Sequence, residues 1–304
     1  MLISKLLSKL NLNIKYEILN EQEFDTLALT ASEIEISSCV FLDNVKYLPN
    51  IRDNVTMLIT SPDVSKMIEE FPGYSGGLCV VDNPRILFFR LHNFLANSAD
   101  YARKRFDTTI GENCQISNLA SISDSNVSIG NNVIIEEFVV IRENTVIGDN
   151  CIIRAGAKIG GQGFEFKRQE DDILSVEHLG GVILGNYVEI QYNTCVDRAV
   201  YPWDNTMIGD FCKIDNLVHV AHAVKIKENV MVVAQSGIGG RVEIEPNTWV
   251  GFGATISNGL KIGESARANI GAVVTKNIDA GNSVSGNFAI KHERFLENLK
   301  KSVQ

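Results

Sequence analysis

Aliphatic residues recur every six positions along the second half of the chain, at Ile208, Ile214, Val220, Ile226, Val232, Ile238, Ile244, Val250, Ile256, Ile262, Ala268 and Val274. An earlier block runs through Ile110, Ile116 and Ile122, slips by one residue to Ile129, and continues through Ile135, Ile141, Ile147, Ile153 and Ile159 before the pattern resumes at Leu184. A six-residue period fits neither a 3.6-residue helix nor the two-residue alternation of a hairpin ladder. It suits a solenoid in which each flat face takes one hexapeptide. Three such faces make a triangular coil of eighteen residues, with the aliphatic side chain pointing inward and stacking on its counterpart about 4.8 Å away. Gly209, Asp210, Gly263 and Glu264 then fall at corners, where the chain bends sharply. Inserts near 160–183 and 199–207 break the register.

Residues 1–105 lack this period. They mix short apolar runs, VTMLIT (55–60) and GGLCVV (76–81), with turn signals, as a small α/β domain does. Pro84 opens a helix whose apolar stripe is Leu87, Phe88, Leu91, Phe94 and Leu95. Residues 106–283 are the coils, and 284–304 read as a terminal helix, with Ile290, Phe295 and Leu299 set to cover the open end of the solenoid.

A formal net charge of −9 argues against a nucleic-acid partner, whose phosphates attract cations. The six cysteines are scattered without CxxC pairs, which speaks against a disulfide framework or a zinc site and for a reducing, cytoplasmic setting. The opening segment has lysines at positions 5 and 9 and no apolar h-region, so it does not read as a signal peptide. No stretch approaches the ~20 apolar residues of a membrane span.

Three segments resemble the UDP-3-O-acylglucosamine N-acyltransferases of lipid A synthesis. CVFLDNVKY (39–47) is similar to that family's F-x-x-N-P-K-Y element, with Val45 in place of proline. GGQGFEF (160–166), HLGGVILGNYVEI (178–190) and VDR (196–198) resemble the segment bordering the sugar site. DNLVHVAHAVKI (215–226) resembles D-N-x-x-x-I-A-H-N-V. The resemblance implies a mainly β fold, a left-handed parallel β-helix of hexapeptide repeats, with an N-terminal α/β domain and a short C-terminal helix. It implies a homotrimer with active sites between subunits, a UDP-sugar acceptor, and no permanently bound cofactor or metal. The co-substrate would be a thioester, on acyl carrier protein phosphopantetheine or coenzyme A. Residue by residue, it implies His222 as general base, Asp215 as the carboxylate orienting it, and Gly240 as an oxyanion donor. Substrate contacts are implied at Phe41, Asn44, Tyr47, Phe164, His178 and Asn216.

The chemistry needs these residue types. Amide formation from a thioester requires a neutral amine, so a base titrating near neutrality is wanted, and histidine is that base. His222 and Gly240 stand eighteen residues apart, one full coil, which makes them neighbours on adjacent rungs. His219, three residues earlier, is the alternative base. His219, His92, His178 and His292 each also read as ordinary satisfied or solvated side chains.

Four positions depart from the family pattern. Ala223 follows His222 where asparagine is usual, and Gly259 stands where a second histidine is usual. IGAVVTK (270–276) carries branched valines where methionines limit acyl length, and the terminal helix is short. These favour a second reading, short-chain acylation of a nucleotide-linked amino sugar from acetyl-CoA or another acyl-CoA for surface polysaccharide. A third, a metal-binding hexapeptide scaffold, would need three histidines at an interface, and His219 with His222 gives two.

Overall fold

The computed structural model describes residues 1–69, 73–169, 172–286 and 289–302. It comprises two compact units. The first is Met1–Phe106 joined by two returning segments, Gln162–Gly180 and Ala199–Asp204; the second is Asp107–Gly161, Gly181–Arg198 and the chain from Asn205 onward. This corrects the simple division at 105, because both inserts leave the coils and fold with the N-terminal residues. Val176, Val200 and Tyr201 from the inserts are buried in one cluster with Phe88 and Leu91. Inserts this short carry no periodicity of their own, so their sequence does not reveal which core they join.

In the first unit β1 (Tyr16–Leu19), β2 (Thr26–Leu27), β3 (Ser38–Leu42), β4 (Val55–Thr60) and β5 (Gly77–Val81) form one sheet in the order β1-β5-β4-β3-β2. All pairs are parallel except β1 with β5. Helices α1 (Ile3–Leu10), α2 (Pro62–Glu69) and α3 (Pro84–Leu95) accompany it. The opening segment has a structural role, since Ile3, Leu6 and Leu7 of α1 are core. Asn83 caps α3 by accepting from the Ile86 N–H, and Leu87, Phe88, Leu91 and Leu95 are buried as the stripe predicts. Phe94, at the edge of the stripe, is 38% exposed.

The second unit is the solenoid. Its strands, mostly two residues long, make three parallel sheets of nine, eight and eight strands. Ile190, Ile214, Val232 and Val250 pair in register down one face, and all twelve aliphatic positions from Ile208 to Val274 are buried. Ile110 belongs to the first coil, has no coil before it, and is exposed. At the other end α4 (His292–Ser302) does not cover the core as its sequence suggests, because its side chains from His292 to Asn298 are exposed, Phe295 among them; the Leu299 side chain lies outside those described. Buried Ile278, bridged to Ile262, closes that end instead.

The corners explain the polar half of the repeat. Glu112, Asn131, Asp149 and Asn186 each donate a backbone N–H to the side chain one coil on, at Asn131, Asp149, Asn186 and Asp210, over 2.7–2.9 Å. The next position is left-handed, with φ of 57–61° at Asn132, Asn150, Asn229 and Asn247. Asparagine tolerates that conformation better than other side chains. All six cysteines are free thiols.

Candidate active site

His222 stands at the corner following the strand His219–Val220, and Gly240 at the same corner one rung later, after Gly237–Ile238. The two strands pair in register, His219 with Gly237 and Val220 with Ile238. The imidazole of His222, only 8% exposed, lies against the Gly240 backbone. A Cβ at position 240 would sit 2.7 Å from Nε2 and 2.8 Å from Cε1. A side chain at 240 would have to displace the imidazole. On either side, Gly239 and Arg241 donate their N–H groups to the Ile256 and His222 carbonyls, whereas Gly240 donates to no backbone carbonyl among the described residues. The corner thus brings an imidazole against a backbone amide.

Asp215 is not part of that corner. It follows the strand Lys213–Ile214, one face earlier in the triangle, and its carboxylate accepts from the backbone N–H groups of Asn216 (2.7 Å) and Ala234 (3.1 Å). Its carboxylate thus ties its own corner to the next rung. A full hexapeptide face separates the two corners. Asn216 is likewise a stitch, its side-chain oxygen accepting from the Tyr192 N–H at 3.0 Å.

The carboxylate that does meet an imidazole is Asp197. His219 Nε2 lies 2.9 Å from Asp197 Oδ2. That hydrogen bond raises the His219 pKa above its ordinary value, against the opposing effect of burial. Asp197 was missed as a partner because the insert Ala199–Asp204 lengthens the coil there by six residues. With the insert removed, Asp197 falls two positions along the coil from the place directly above His219, and the pair is legible.

In the first unit, Phe41 on β3 is partly buried against Phe88 and Phe89, at 5.0 and 5.9 Å between centroids, with the Arg85 guanidinium over its ring. Asn44 spends its side-chain oxygen on the Lys46 N–H, capping a short 3-10 turn, and Tyr47 is exposed beneath the Lys46 ammonium. Phe164 is 84% exposed, edge-on to Phe166. His178 is 2% exposed with Nδ1 3.1 Å from the Val176 carbonyl, which removes it as a substrate contact. Its segment turns inward to fill the core of the first unit rather than line a surface. A cavity of about 590 Å³ opens where β3, β4 and β5 end, lined by Asp43, Ser61, Asp82, Arg85 and Arg168 among others. The carboxyl edge of a parallel sheet is the usual place for a ligand in such folds. His92 is buried between the Tyr101 hydroxyl (2.8 Å) and the Glu177 carbonyl (2.9 Å), and burial pushes its pKa down to about 4.

Residues 126–161 match the bacterial transferase hexapeptide (six repeats) family. Those residues lie within the solenoid. The solenoid is the left-handed parallel β-helix. The UDP-N-acetylglucosamine acyltransferase of Campylobacter jejuni shares that fold with a TM-score of 0.53 and 24% identity, over 59% of this chain and 68% of that one. UDP-3-O-acylglucosamine N-acyltransferase 2 of Legionella pneumophila (strain Lens) is 48% identical over 93 residues, 31% of this chain and 26% of that protein. The UDP-3-O-acylglucosamine N-acyltransferase of Rickettsia conorii is 46% identical over 89 residues, 29% of this chain and 25% of that protein. The hexapeptide-repeat chain thus spans about a quarter of the length of these curated relatives. Among the described residues no helix is long and apolar enough to cross a membrane.

Proposed function

We propose that the protein is an N-acyltransferase that moves an acyl group from a thioester to the amino group of a UDP-linked amino sugar, as in lipid A synthesis. The observation that carries this is the His222 ring resting on Gly240, whose N–H is not used by the coil. His222 takes the proton of the attacking amine, and the Gly240 N–H receives the carbonyl oxygen as it becomes an oxyanion. One such donor contributes on the order of 3 kcal/mol to transition-state stabilisation. The two partial relatives are named for this reaction. The working form is a cytoplasmic homotrimer. In it the Asp215 corner of one copy faces the His222 corner of the next, which restores the orienting carboxylate across the subunit boundary. Phe41, Asn44 and Tyr47 border the nucleotide, and the donor is acyl carrier protein.

One observation favours the acyl-CoA reading with a shorter acyl group. Val273, 74% exposed, pairs with Thr255, which pairs with Gly237 beside His219, so a branched side chain stands two rungs from the site on the same face. An assay of UDP-amino sugars against 3-hydroxyacyl carrier protein and acetyl-CoA separates the two, and turnover with acetyl-CoA alone would overturn the lipid A reading. His222→Ala is expected to lower turnover by about 10² or more with the fold intact; an unchanged rate would remove His222 from the mechanism.

A further inference from the structure

Every glycine whose surroundings are described has an internal reason to be glycine, with two exceptions. At most positions an added Cβ would come within 3 Å of another atom, and at the others φ is positive. Gly237 has neither excuse, since a Cβ there would meet nothing within 4 Å. Nor has Gly161, where the nearest atom would be Asp197 Oδ1 at 3.9 Å. Glycine weakens a strand relative to alanine, and it marks places where a ligand or another backbone comes close.

Both exceptions flank the same pair of side chains. Gly161 pairs with Asp197, and Gly237 pairs with His219, so the Asp197–His219 hydrogen bond is bordered by bare backbone on each side. His219 is 54% exposed there, and Asp197 13%. Because a carboxylate has no proton to give, His219 Nε2 is the donor in that bond. The second proton of the imidazolium is on Nδ1. Lys158 and Cys195 precede His219 in the same row, and the Lys158 ammonium is turned away to the Phe138 and Gly156 carbonyls. The hydrogen bond to Asp197 raises the ring's pKa above its ordinary value.

Resting on the acyl-transfer reading above, we propose that His219 is the general acid of the reaction, giving its Nδ1 proton to the departing thiolate, with Gly161 and Gly237 kept bare to admit the thioester arm. The amine nitrogen bonds to the carbonyl carbon and its proton passes to His222. The carbon–sulfur bond breaks, and the sulfur takes the His219 proton to leave as a thiol. His219 remains neutral with Nε2–H still on Asp197, and solvent then restores its proton and removes the one on His222. Two histidines three residues apart thereby divide the base and acid roles, one at the corner and one on the face.

The full chain tests this with two acyl donors, a pantetheine thioester and the matching thiophenyl ester, whose acidic thiol leaves without help. His219→Gln should slow the pantetheine reaction by about 10² and the thiophenyl reaction by less than about threefold, since general acid catalysis matters most for poor leaving groups. Equal slowing of both overturns the proposal. Gly237→Val should raise KM for the pantetheine donor by about tenfold while leaving Tm and oligomeric state unchanged, because the new side chain meets nothing within the chain. Unchanged kinetics, or loss of the oligomer, overturns the thioester channel. Hydroxylamine as a surrogate acceptor separates the two levels. The same thioester contrast with hydroxylamine, but no transfer to any UDP-amino sugar, supports the acid and overturns the acceptor reading; no transfer to either overturns both.

Discussion

The solenoid and the N-terminal unit use their residues on different terms. In the coils each position has a fixed neighbour one rung away, so Ile244 stacks between Ile226 and Ile262 and His222 rests on Gly240. In the N-terminal unit the neighbours come from distant parts of the chain, as when His92 on α3 is held by Tyr101 and by Glu177 from an insert. The contrast decides how residues can be read. A coil residue's surroundings follow from counting, whereas those of an N-terminal residue follow from packing. It also sets how each region fails, locally in the coils and as a whole in the other unit.

The strongest challenge to that contrast is a cavity in the coils. Ile244→Ala should cost about 2–5 kcal/mol, and hydrogen exchange should rise mainly in the adjacent rungs rather than along the whole solenoid. Uniform loss of protection would show the coils to be as cooperative as the N-terminal unit. Acid should act on the opposite region. The folded His92 pKa is depressed to about 4, so below its unfolded value near 6.5 the unfolded chain binds the extra proton. Stability therefore falls as pH drops from about 6.5 to about 4, by a total of roughly 3 kcal/mol. Exchange at pH 4.5 and 7 should locate the loss around α3 and residues 101 and 177; a coil-centred loss would break the comparison.

Smaller effects probe the corners. Asp149→Ala removes the acceptor for the Asn131 N–H and should cost about 1 kcal/mol in chemical denaturation. Phe211 occupies a left-handed position, φ 63°, where the other coils mostly place asparagine, and its ring stacks on Tyr187 at 5.0 Å while half exposed. Phe211→Asn should therefore relieve up to about 1 kcal/mol of backbone strain, less whatever the ring contact contributes. A clear loss of stability would mean that the stacked rings outweigh the strain.

The period of six, the inward aliphatic column, the polar corners and the His222–Gly240 juxtaposition were all legible before any coordinates. They follow from local repetition, in which spatial neighbours are a constant number of residues apart. The α3 stripe was legible for the same reason at a period of 3.6. His178 was misread because a motif gives residue types without their packing partners, and here the side chain is buried. α4 was misread because an amphipathic pattern names a face without naming what lies against it.

By itself the sequence determined the solenoid, its core and the rung on which an imidazole meets a bare amide, since each depends on spacing along the chain. Only the tertiary structure decided that the two inserts fold with the N-terminal unit, that Asp197 holds the His219 imidazole, and that Gly161 and Gly237 have no internal cause. Those facts depend on which atoms occupy the space around a residue, and for contacts made across an insert no count of residues supplies that.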